Sequence, residues 1–465
     1  MRTFVTIFII SLTLGTTGGT THVEAQPGTV QSTFTPARLS PGRRYRTIER
    51  LAPERLAAVA ADRAALQRSR KAVKLGHGLT DYRAILHAHA EDSAHTGGNR
   101  AELLAAAKRT GVRIVMLTDH VRPPRDFIND SWRGFHDGVL FIPGSEGEGF
   151  LNYPVNSVIE HYVKKQERSR TDYVKMITAN GGNIFLSHVE EKIDWSTTGL
   201  DGLEIYNNHT DMKDEFEFIG WLRGALTNPA RLDQLNSLLT RYPLEVFGAL
   251  QDYLAPVMSK WDRDLRDHPL TGVAANDCHH NQVYEIRAIA ADTIEISIIG
   301  DPPRRVTSSQ VPAIASMLVG HRPGDLLARV DLDPYESSLQ FVTTHLLLPS
   351  LSELEVRNAL HLGRAYVAHD WLGDPTGFAF VARRNGRRVG IMGDQIRLAK
   401  GLNLALEAPL PGTIRILRDG EVALETIDRQ ANLQITDPGV YRAEIWLTVD
   451  GEQRPWIYSN PIRID

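Results

Sequence analysis

The chain of 465 residues has little that would stabilise it outside an ordinary hydrophobic core. It contains one cysteine, Cys278, so no intrachain disulfide can form, and stability must come from buried apolar area or from bound metal. Its formal net charge is -4 and it has no long basic run, which argues against nucleic acid as the main partner. Hydrophobic residues make up 42% and charged residues 23%, a composition typical of soluble globular proteins.

Long apolar runs are also lacking. The only candidate is residues 4–14, about half of the ~20 residues that a membrane-spanning helix needs. A weakly basic start precedes this run, and small residues ending at Ala25 follow it. The pattern predicts a secretory signal peptide over residues 1–25, and an alternative interpretation is a membrane anchor. We therefore expect a periplasmic or secreted protein, without stable membrane insertion after cleavage.

The middle of the chain alternates predicted strands with predicted helices. Residues 26–74 are predicted to form a leader and an N-terminal helix, and the alternation occupies residues 75–375. Asn99 and Glu102 predict the start of a helix that ends at Gly111, Thr171 is predicted to cap another helix, and residues 229–265 are helical by spacing. Strands that alternate with helices predict an α/β fold with a parallel sheet, open or closed.

The last part of the chain has a different pattern. Short runs of alternating polarity, separated by Gly, Pro and Asp, occupy residues 376–465. They predict the hairpins of a small antiparallel β-sandwich, with a domain boundary near Pro375.

Histidine and acidic residues recur where the predicted strands end. In a parallel α/β sheet or barrel these ends open onto one face, so residues distant in sequence converge. Each residue alone is more simply interpreted as a hydrogen-bonded core histidine or a loop carboxylate. Their shared position predicts a metal site instead. The predicted ligands are His87, His89, His95, His120, Glu146, His188, Asp277 and His279.

This ligand set favours particular metals. Imidazole and carboxylate together suit Zn, Mn or Fe better than Mg or Ca. Eight ligands are too many for one ion, since Zn takes about three or four protein ligands. The set therefore favours a cluster of two or three ions, with Glu146 as a bridge and a hydroxide between the ions. Cys278 lies among these residues, but we expect it to be a small packed side chain and not a thiolate ligand.

The motifs resemble those of the polymerase and histidinol phosphatase (PHP) superfamily of metal-dependent phosphoesterases. The resemblance covers roughly residues 80–370 and rests on five signatures. They are "HAH" (His87 and His89) with His95 eight residues after the first, "LTDH" ending at His120, Glu146, His188, and "DCH" (Asp277 and His279). The stretches "ALHLGRAYV" and "PWIYSNPIRI" resemble an exported branch that carries a β-sandwich and includes carbamate-ester hydrolases.

The resemblance implies a fold and a ligand assignment. It implies a distorted (β/α)7 TIM-like barrel followed by the β-sandwich. The ions would be shared as follows: His87, His89, Glu146 and Asp277 on one; His95, His120 and His279 on a second; Glu146 and His188 on a third. The third ion needs one more ligand, for which the family uses a histidine shortly after the glutamate. This sequence has none there, and the candidates for that role are His209, Asn156 and His161.

The resemblance also implies hydrolysis of a small-molecule phosphoester. Asp277, Glu146 and His120 are the predicted catalytic residues, Asp119 would orient the site, and Arg100, Arg122 and Arg125 are predicted to bind the phosphate. Two alternatives stay open: hydrolysis of a carbamate, ester or amide by the same cluster, and a non-catalytic exported metal-binding module. The oligomeric state is not predicted.

Overall fold

A computed structural model of the protein describes residues 42–164, 169–213 and 215–465, without the side chains of His209 and Lys213. The predicted signal peptide and the start of the predicted leader lie outside the described residues. The rest of the leader contains helices α1 (Thr47–Arg50) and α2 (Pro53–Arg68). Helix α2 begins on Pro53, where the missing backbone N–H costs no helical hydrogen bond. None of the described helices is long and apolar enough to cross a membrane.

The region that holds the predicted ligands alternates strands and helices. Its strands are β1 (Thr80–Ala88), β2 (Ile114–Leu117), β3 (Asp119–His120), β4 (Gly134–His136), β5 (Val139–Ile142), β6 (Ser145–Gly147), β7 (Phe150–Tyr153), β8 (Asn183–Leu186), β9 (Gly202–Asn207) and β10 (Thr271–Ala275). Its helices are α3 (Arg100–Thr110), α4 (Ile159–Val163), α5 (Arg170–Ala179), α6 (Asn208–Lys213), α7 (Phe216–Leu226), α8 (Pro229–Arg241), α9 (Pro243–Gly248) and α10 (Ala255–Leu265).

Parallel pairing places most of these strand ends on one side. Strand β2 pairs in parallel with β1 and β5, β3 with β6, and β9 with β8 and β10. Strands β4 and β7 are exceptions, because β4 pairs antiparallel with β5 and β7 pairs antiparallel with both β6 and β8. A parallel bridge between Ala88 and Cys278 brings the end of β1 beside the residues that follow β10. Side chains at these strand ends are therefore neighbours in space.

Local signals explain where several helices begin and end. The Asn99 side chain accepts a hydrogen bond from the Glu102 amide at 2.9 Å, and Gly111 ends α3 with a φ of 75°. Both features were predicted. The prediction of Thr171 as a cap is wrong, because Ser169 accepts from the Asp172 amide and α5 begins at Arg170. Residues 229–265 form α8, α9 and α10 with breaks between them, since Pro243 starts a new helix.

A small antiparallel sheet follows β10. It contains β11 (Val283–Ala290), β12 (Thr293–Ile298), β13 (Arg304–Thr307) and β14 (Leu326–Asp331), with helix α11 (Ile314–Leu318) between β13 and β14. This sheet shares a separate hydrophobic core with α7 and α8. Its turn at Gly300 lies against the His95 loop: Gly300 has a φ of +89°, and a Cβ there would lie 2.7 Å from the Cβ of His95.

The remaining strands extend the sheet that contains β1, and two helices accompany them in the chain. They are α12 (Tyr335–Phe341), β15 (Thr343–Leu348), α13 (Glu353–Leu362), β16 (Ala365–Ala368), β17 (Ala379–Arg384), β18 (Arg387–Ile391), β19 (Gln395–Ile396), β20 (Leu402–Arg418), β21 (Glu421–Gln434), β22 (Gly439–Val449), β23 (Glu452–Ser459) and β24 (Ile462–Ile464). Strand β15 pairs antiparallel with β1 and β16, and β16 pairs with β23. Strands on both sides of residue 375 therefore share one sheet.

The protein has a mixed α/β fold with several sheets. All described residues fall within one compact unit. The seven-unit barrel, the β-sandwich and the boundary near residue 375 stay predictions.

Candidate metal centre

The predicted ligands lie where the strands end. Parallel pairing and the bridge between Ala88 and Cys278 bring these ends together. The residues are His87 and His89 at the end of β1, His120 at the end of β3, Glu146 in β6, His188 after β8, and Asp277 and His279 after β10.

Within the described residues, these side chains form two groups, in each of which the donor atoms lie within 4.8 Å of one another. We call His89, His120 and His279 the histidine group. We call the set of His87, Glu146, His188 and Asp277 the mixed group. The assignment implied by the resemblance places His89 with His87 instead, and places His95 with His120 and His279.

Glu146 and the first two histidines connect the groups. The Nε2 atoms of His87 and His89 lie 3.1 Å apart. Glu146 Oε2 lies 3.6 Å from Nε2 of His87, 3.8 Å from Nε2 of His89 and 3.7 Å from Nε2 of His120. One carboxylate is therefore shared by both groups, as a bridging ligand would be.

The mixed group is held by close contacts between opposite charges. Glu146 Oε1 lies 3.0 Å from His188 Nε2, and Asp277 Oδ1 lies 3.2 Å from His87 Nε2. Burial opposes ionisation of Glu146, but hydrogen bonds from His188 and His87 outweigh it and hold the pKa of this carboxyl well below its usual range. Glu146 is therefore ionised, which is the form that binds metal.

A buried carboxylate on β9 orients His87. The Glu204 side chain is 1% exposed, and its Oε1 accepts a hydrogen bond from His87 Nδ1 at 2.6 Å. Its Oε2 accepts from the backbone N–H of His188 at 2.7 Å and from the Asn207 amide at 3.0 Å. Burial opposes protonation of His87, but the charges of Asp277 and Glu204 raise its pKa to about 9. Glu204 thus fixes the ring of one ligand and the backbone of another.

Asp92 has the same role in the histidine group. Its Oδ2 accepts from Nδ1 of His89 at 3.0 Å, from Nδ1 of His120 at 2.6 Å and from the backbone N–H of His120 at 2.6 Å. Burial opposes ionisation, but the hydrogen bonds from His120 and His89 lower the pKa of Asp92. Asp92 therefore holds the two rings side by side with their Nε2 atoms free to coordinate.

The donor atoms fit a divalent cation. Metal binding requires the neutral rings: with their Nδ1 protons donated to carboxylates, neutral His87 and His89 carry lone pairs on Nε2, and these two atoms face each other at 3.1 Å. The buried Nε2 of His279 has no hydrogen-bond partner among the described residues. Burial and the neighbouring His89 hold the pKa of His279 well below its usual range, so its ring is neutral. One cation in each group would satisfy these atoms, His87 in the mixed group and His89 and His279 in the histidine group, and this donor set suits Zn, Mn or Fe.

His95 lies beside the histidine group but outside both groups. Its ring centroid is 4.7 Å from that of His120 and 5.1 Å from that of His279. Burial and the nearby His120 lower its pKa. Of the residues considered for a third ion, His161 packs against Tyr162 and Tyr173 in α4, and the side chain of His209 lies outside the described residues.

Two of the three predicted phosphate-binding arginines contact a buried carboxylate. Asp119 Oδ2 accepts from Arg100 at 3.2 Å and closely from Arg125 Nη2, and its side chain is fully buried. Each guanidinium keeps one buried nitrogen without a hydrogen-bond partner in the described structure, Nε of Arg100 and Nη1 of Arg125. Arg122 is exposed and has no ion pair with the described residues. Only Arg122 is therefore free to move onto a ligand.

A cavity of about 630 Å³ adjoins the metal centre. His120 and Glu146 form one wall of it. Its volume is within the usual range for small-molecule sites, roughly 300–1,000 Å³. The cavity gives a substrate direct access to ligands of both groups.

Two ligands occupy uncommon backbone conformations. His188 has a φ of 45° and Asp277 a φ of 49°, in the left-handed region that non-glycine residues adopt infrequently. Such conformations cost of order 1–3 kcal/mol and persist where surrounding contacts enforce them. At His188 the enforcing contact is the hydrogen bond from its backbone N–H to Glu204.

The sequence analysis did not identify Glu204, Asn207 or Tyr335 as site residues. Tyr335 donates a hydrogen bond to the backbone carbonyl of His89 at 2.6 Å. Glu204 could have been found from the sequence, because an acidic residue inside an otherwise apolar strand such as β9 needs a buried partner. Asp92 is visible among the histidines of its loop, but its two hydrogen bonds to His120 depend on the pairing that brings the end of β3 beside this loop. Cys278 is packed in a hydrophobic cluster, as expected, and burial raises the pKa of its thiol.

The chain is similar to a protein of known structure. No protein-family model and no curated protein matches the chain. A matching crystal structure is that of a two-domain protein from Bacteroides vulgatus ATCC 8482 containing a predicted PHP-like metal-dependent phosphoesterase. The match has 13% sequence identity, covers 84% of this chain and 98% of that chain, and has a TM-score of 0.31. So low a TM-score does not establish a shared fold.

Proposed function

We propose that the protein is a metal-dependent hydrolase that binds two or three divalent ions, Zn, Mn or Fe, and cleaves a small-molecule phosphoester. The observation that carries the proposal is the convergence of imidazole and carboxylate donors from β1, β3, β6, β8 and β10 into two adjoining groups that share Glu146. Structural ion pairs do not need facing Nε2 lone pairs, whereas metal coordination does. The PHP-type motifs support the same class of reaction.

In this proposal the groups of the chain have separate tasks. Bound ions of this type would supply Lewis-acid charge and make water a usable nucleophile at neutral pH. Glu146 and Asp277 carry the negative charge that holds the cluster together, while Asp92 and Glu204 fix the ligand rings. His120 lies between the cluster and the cavity and would face the scissile group. Arg122 would contribute positive charge near the substrate oxygens.

The architecture and location that we propose follow the sequence. The metal centre would lie at the mouth of a distorted seven-unit barrel, with the C-terminal strands as a β-sandwich. The signal-like N-terminus supports a periplasmic or secreted enzyme that acts on a small molecule and does not act on nucleic acid.

The direct test is turnover of a chromogenic phosphoester, 4-nitrophenyl phosphate, by the chain from Gln26 loaded with Mn or Zn. We expect metal-dependent release of 4-nitrophenol that disappears in the Asp277→Ala variant. Turnover that persists in the variant, or does not depend on metal, would contradict the proposal.

A second candidate, hydrolysis of a carbamate, ester or amide by the same cluster, is favoured by one observation. Arg100 and Arg125 are paired with Asp119, and neither they nor Arg122 line the cavity. Bound ions can polarise a carbonyl as well as a phosphoryl oxygen. Turnover of 4-nitrophenyl N-methylcarbamate or 4-nitrophenyl acetate, with none of the phosphoester, would select this candidate.

A further inference from the structure

The cavity beside the metal centre has mainly apolar walls. Apart from the ligands His120 and Glu146, it is lined chiefly by Val121, Pro123, Pro124, Tyr162 and Val163. Val163 leaves 55% of its surface exposed, which is unusual for a large apolar side chain beside a polar site. Among the described lining side chains other than these two ligands, only the Tyr162 hydroxyl and the Glu148 carboxylate can form hydrogen bonds, and the rest is hydrocarbon.

The floor of the cavity is tightly packed. Gly147 lies between Tyr162 and Val121: a Cβ at Gly147 would be 2.9 Å from Oη of Tyr162 and 3.2 Å from Cγ2 of Val121. The Tyr162 hydroxyl forms a hydrogen bond with the Tyr173 hydroxyl, so it already has a partner. The ring of Tyr162 is thereby held in place as an apolar and aromatic surface.

The charge of the lining argues against a second anionic group on the substrate. Among the described residues, the acidic side chains that line the cavity are Glu146 and the exposed Glu148, and none of the described Lys or Arg residues lines it. A phosphate or carboxylate placed here would meet the charge of Glu148 without a cation from the described lining to offset it. An uncharged apolar group would meet no such repulsion and would lose no hydrogen bonds to water.

We propose that this cavity binds an uncharged aromatic group of the substrate, attached to the group that the metal centre hydrolyses. The inference rests on the proposed hydrolase function and narrows its substrate class. It favours a monoester, or a carbamate or ester, of an apolar aromatic alcohol, and it excludes nucleoside polyphosphates and sugar bisphosphates.

The test is binding of non-hydrolysable phosphonates to the Mn-loaded protein, measured by isothermal titration calorimetry. The three probes are methylphosphonate, phenylphosphonate and 4-carboxyphenylphosphonate, which share the metal-binding group. We expect phenylphosphonate to bind at least about tenfold more tightly than methylphosphonate, the gain expected for burying most of a phenyl ring. The 4-carboxylate should remove most of this gain.

Two substitutions locate the effect in the cavity. Val163→Asp should reduce the preference for phenyl over methyl severalfold, while Val422→Asp, at a remote valine 53% exposed, should leave it unchanged. Glu148→Gln should restore binding of the 4-carboxyphenyl probe without improving that of phenylphosphonate. Both cavity positions are exposed, so folding should survive the changes.

The outcomes separate this inference from the proposed function. Equal affinity for methyl and phenyl probes, or a preference that Val163→Asp leaves intact, overturns the inference even when 4-nitrophenyl phosphate is turned over. A phenyl preference that depends on Val163, in a protein that turns over no phosphoester, supports the inference and moves the reaction to a carbonyl substrate. Failure to bind any phosphonate overturns the inference.

Discussion

Two buried clusters of histidine and carboxylate differ in how their polar atoms are satisfied. In the metal centre, the Nε2 atoms of His87 and His89 face each other at 3.1 Å, and that of His279 has no hydrogen-bond partner in the described structure. The second cluster, which we call the His345 cluster, contains Asp81, His345, Tyr366 and Asp370. In it, both ring nitrogens of His345 contact carboxylates, at 2.7 Å to Asp81 and 3.3 Å to Asp370.

The carboxylates of the His345 cluster also have full sets of partners. Asp81 accepts from the Tyr366 hydroxyl at 2.7 Å and the Gly377 amide at 2.9 Å, and Asp370 accepts from Thr343 at 2.6 Å. The cluster connects β1, β15 and β16 to the chain that enters the C-terminal strands. The comparison teaches that residue types alone do not mark a metal site. Ring nitrogens that face one another, as in His87 and His89, are typical of a metal site, whereas a cluster whose ring nitrogens all contact carboxylates stabilises the fold.

The largest expected effect is the loss of turnover in Glu146→Ala. This substitution removes the carboxylate that contacts both groups, so kcat should fall by about three orders of magnitude or more, with loss of bound metal. Steady-state kinetics and metal analysis check this. The control is Glu160→Ala, whose side chain is 80% exposed and paired with Lys164. A Glu146→Ala enzyme within tenfold of the wild type would contradict the assignment.

The matching substitution in the second cluster, Asp370→Asn, should affect stability and spare metal binding. It leaves the buried charge of His345, and the partly exposed Arg83, without one of their carboxylates, which costs about 3–5 kcal/mol. Denaturant unfolding measures the loss. Asp137→Asn, in an exposed pair with Lys108, should cost less than about 1 kcal/mol. If the two substitutions lowered the free energy of unfolding equally, the His345 cluster would stabilise the fold no more than an exposed ion pair does.

The contribution of the His345 cluster to folding stability should also be lost at alkaline pH. Burial opposes protonation of His345, but Asp81 and Asp370 raise its pKa from 6.5 to about 9. A pKa raised by folding gives stability that is fully present below pH 6.5 and is lost as the pH rises through about 9. The unfolding free-energy difference between the wild type and His345→Gln should therefore be larger at pH 6 than at pH 10. A difference that grows with pH would contradict this account.

Smaller effects are expected from the residues that hold the ligand rings. Glu204→Gln and Asp92→Asn keep the shape of each side chain but weaken its hold on Nδ1, so metal affinity should fall about 10–100-fold. Competition with a chromogenic chelator measures the affinity. Glu217→Gln, at an exposed glutamate, is the control. Unchanged affinity in both ring-holding variants would assign them a purely structural role.

The smallest effect is predicted for Arg122→Ala. Arg122 is exposed and lies close enough to His95 to lower its pKa, after the larger effects of burial and His120. Its removal should raise KM for a phosphoester by about two- to fivefold and leave kcat unchanged, since an exposed, screened charge contributes little. A larger fall in kcat would place Arg122 in contact with the transition state.

The sequence predicted the elements that position the site better than the contacts inside it. Helix α3 was predicted at both ends because its capping box and its terminal glycine are local signals. The apolar run that ends in "LTDH" has the pattern of a single strand, but the structure divides it into β2 and β3 at Thr118. The amide and hydroxyl of Thr118 bond back to Ala88. That break is a long-range effect which no local pattern contains.

Contacts between distant strands account for what the sequence could not predict. The grouping of His89 with His120 depends on the shared acceptor Asp92, and the orientation of His87 depends on Glu204 of β9. Strand β20 runs from Leu402 to Arg418 through Pro409 and Pro411, where the sequence predicted short hairpins. It continues because its register with β21 shifts between Glu407 and Gly412, so the prolines need not donate to that partner.

The metal content of the purified chain tests the central claim most directly. The protein is purified without chelator, dialysed against metal-free buffer and analysed by inductively coupled plasma mass spectrometry, beside Glu146→Ala and Asp370→Asn. We predict two or three ions of Zn, Mn or Fe per chain in the wild type and in folded Asp370→Asn, and a marked loss in Glu146→Ala. A metal content near zero in the wild type, or equal content in all three proteins, would contradict the claim that the facing histidines form a metal centre.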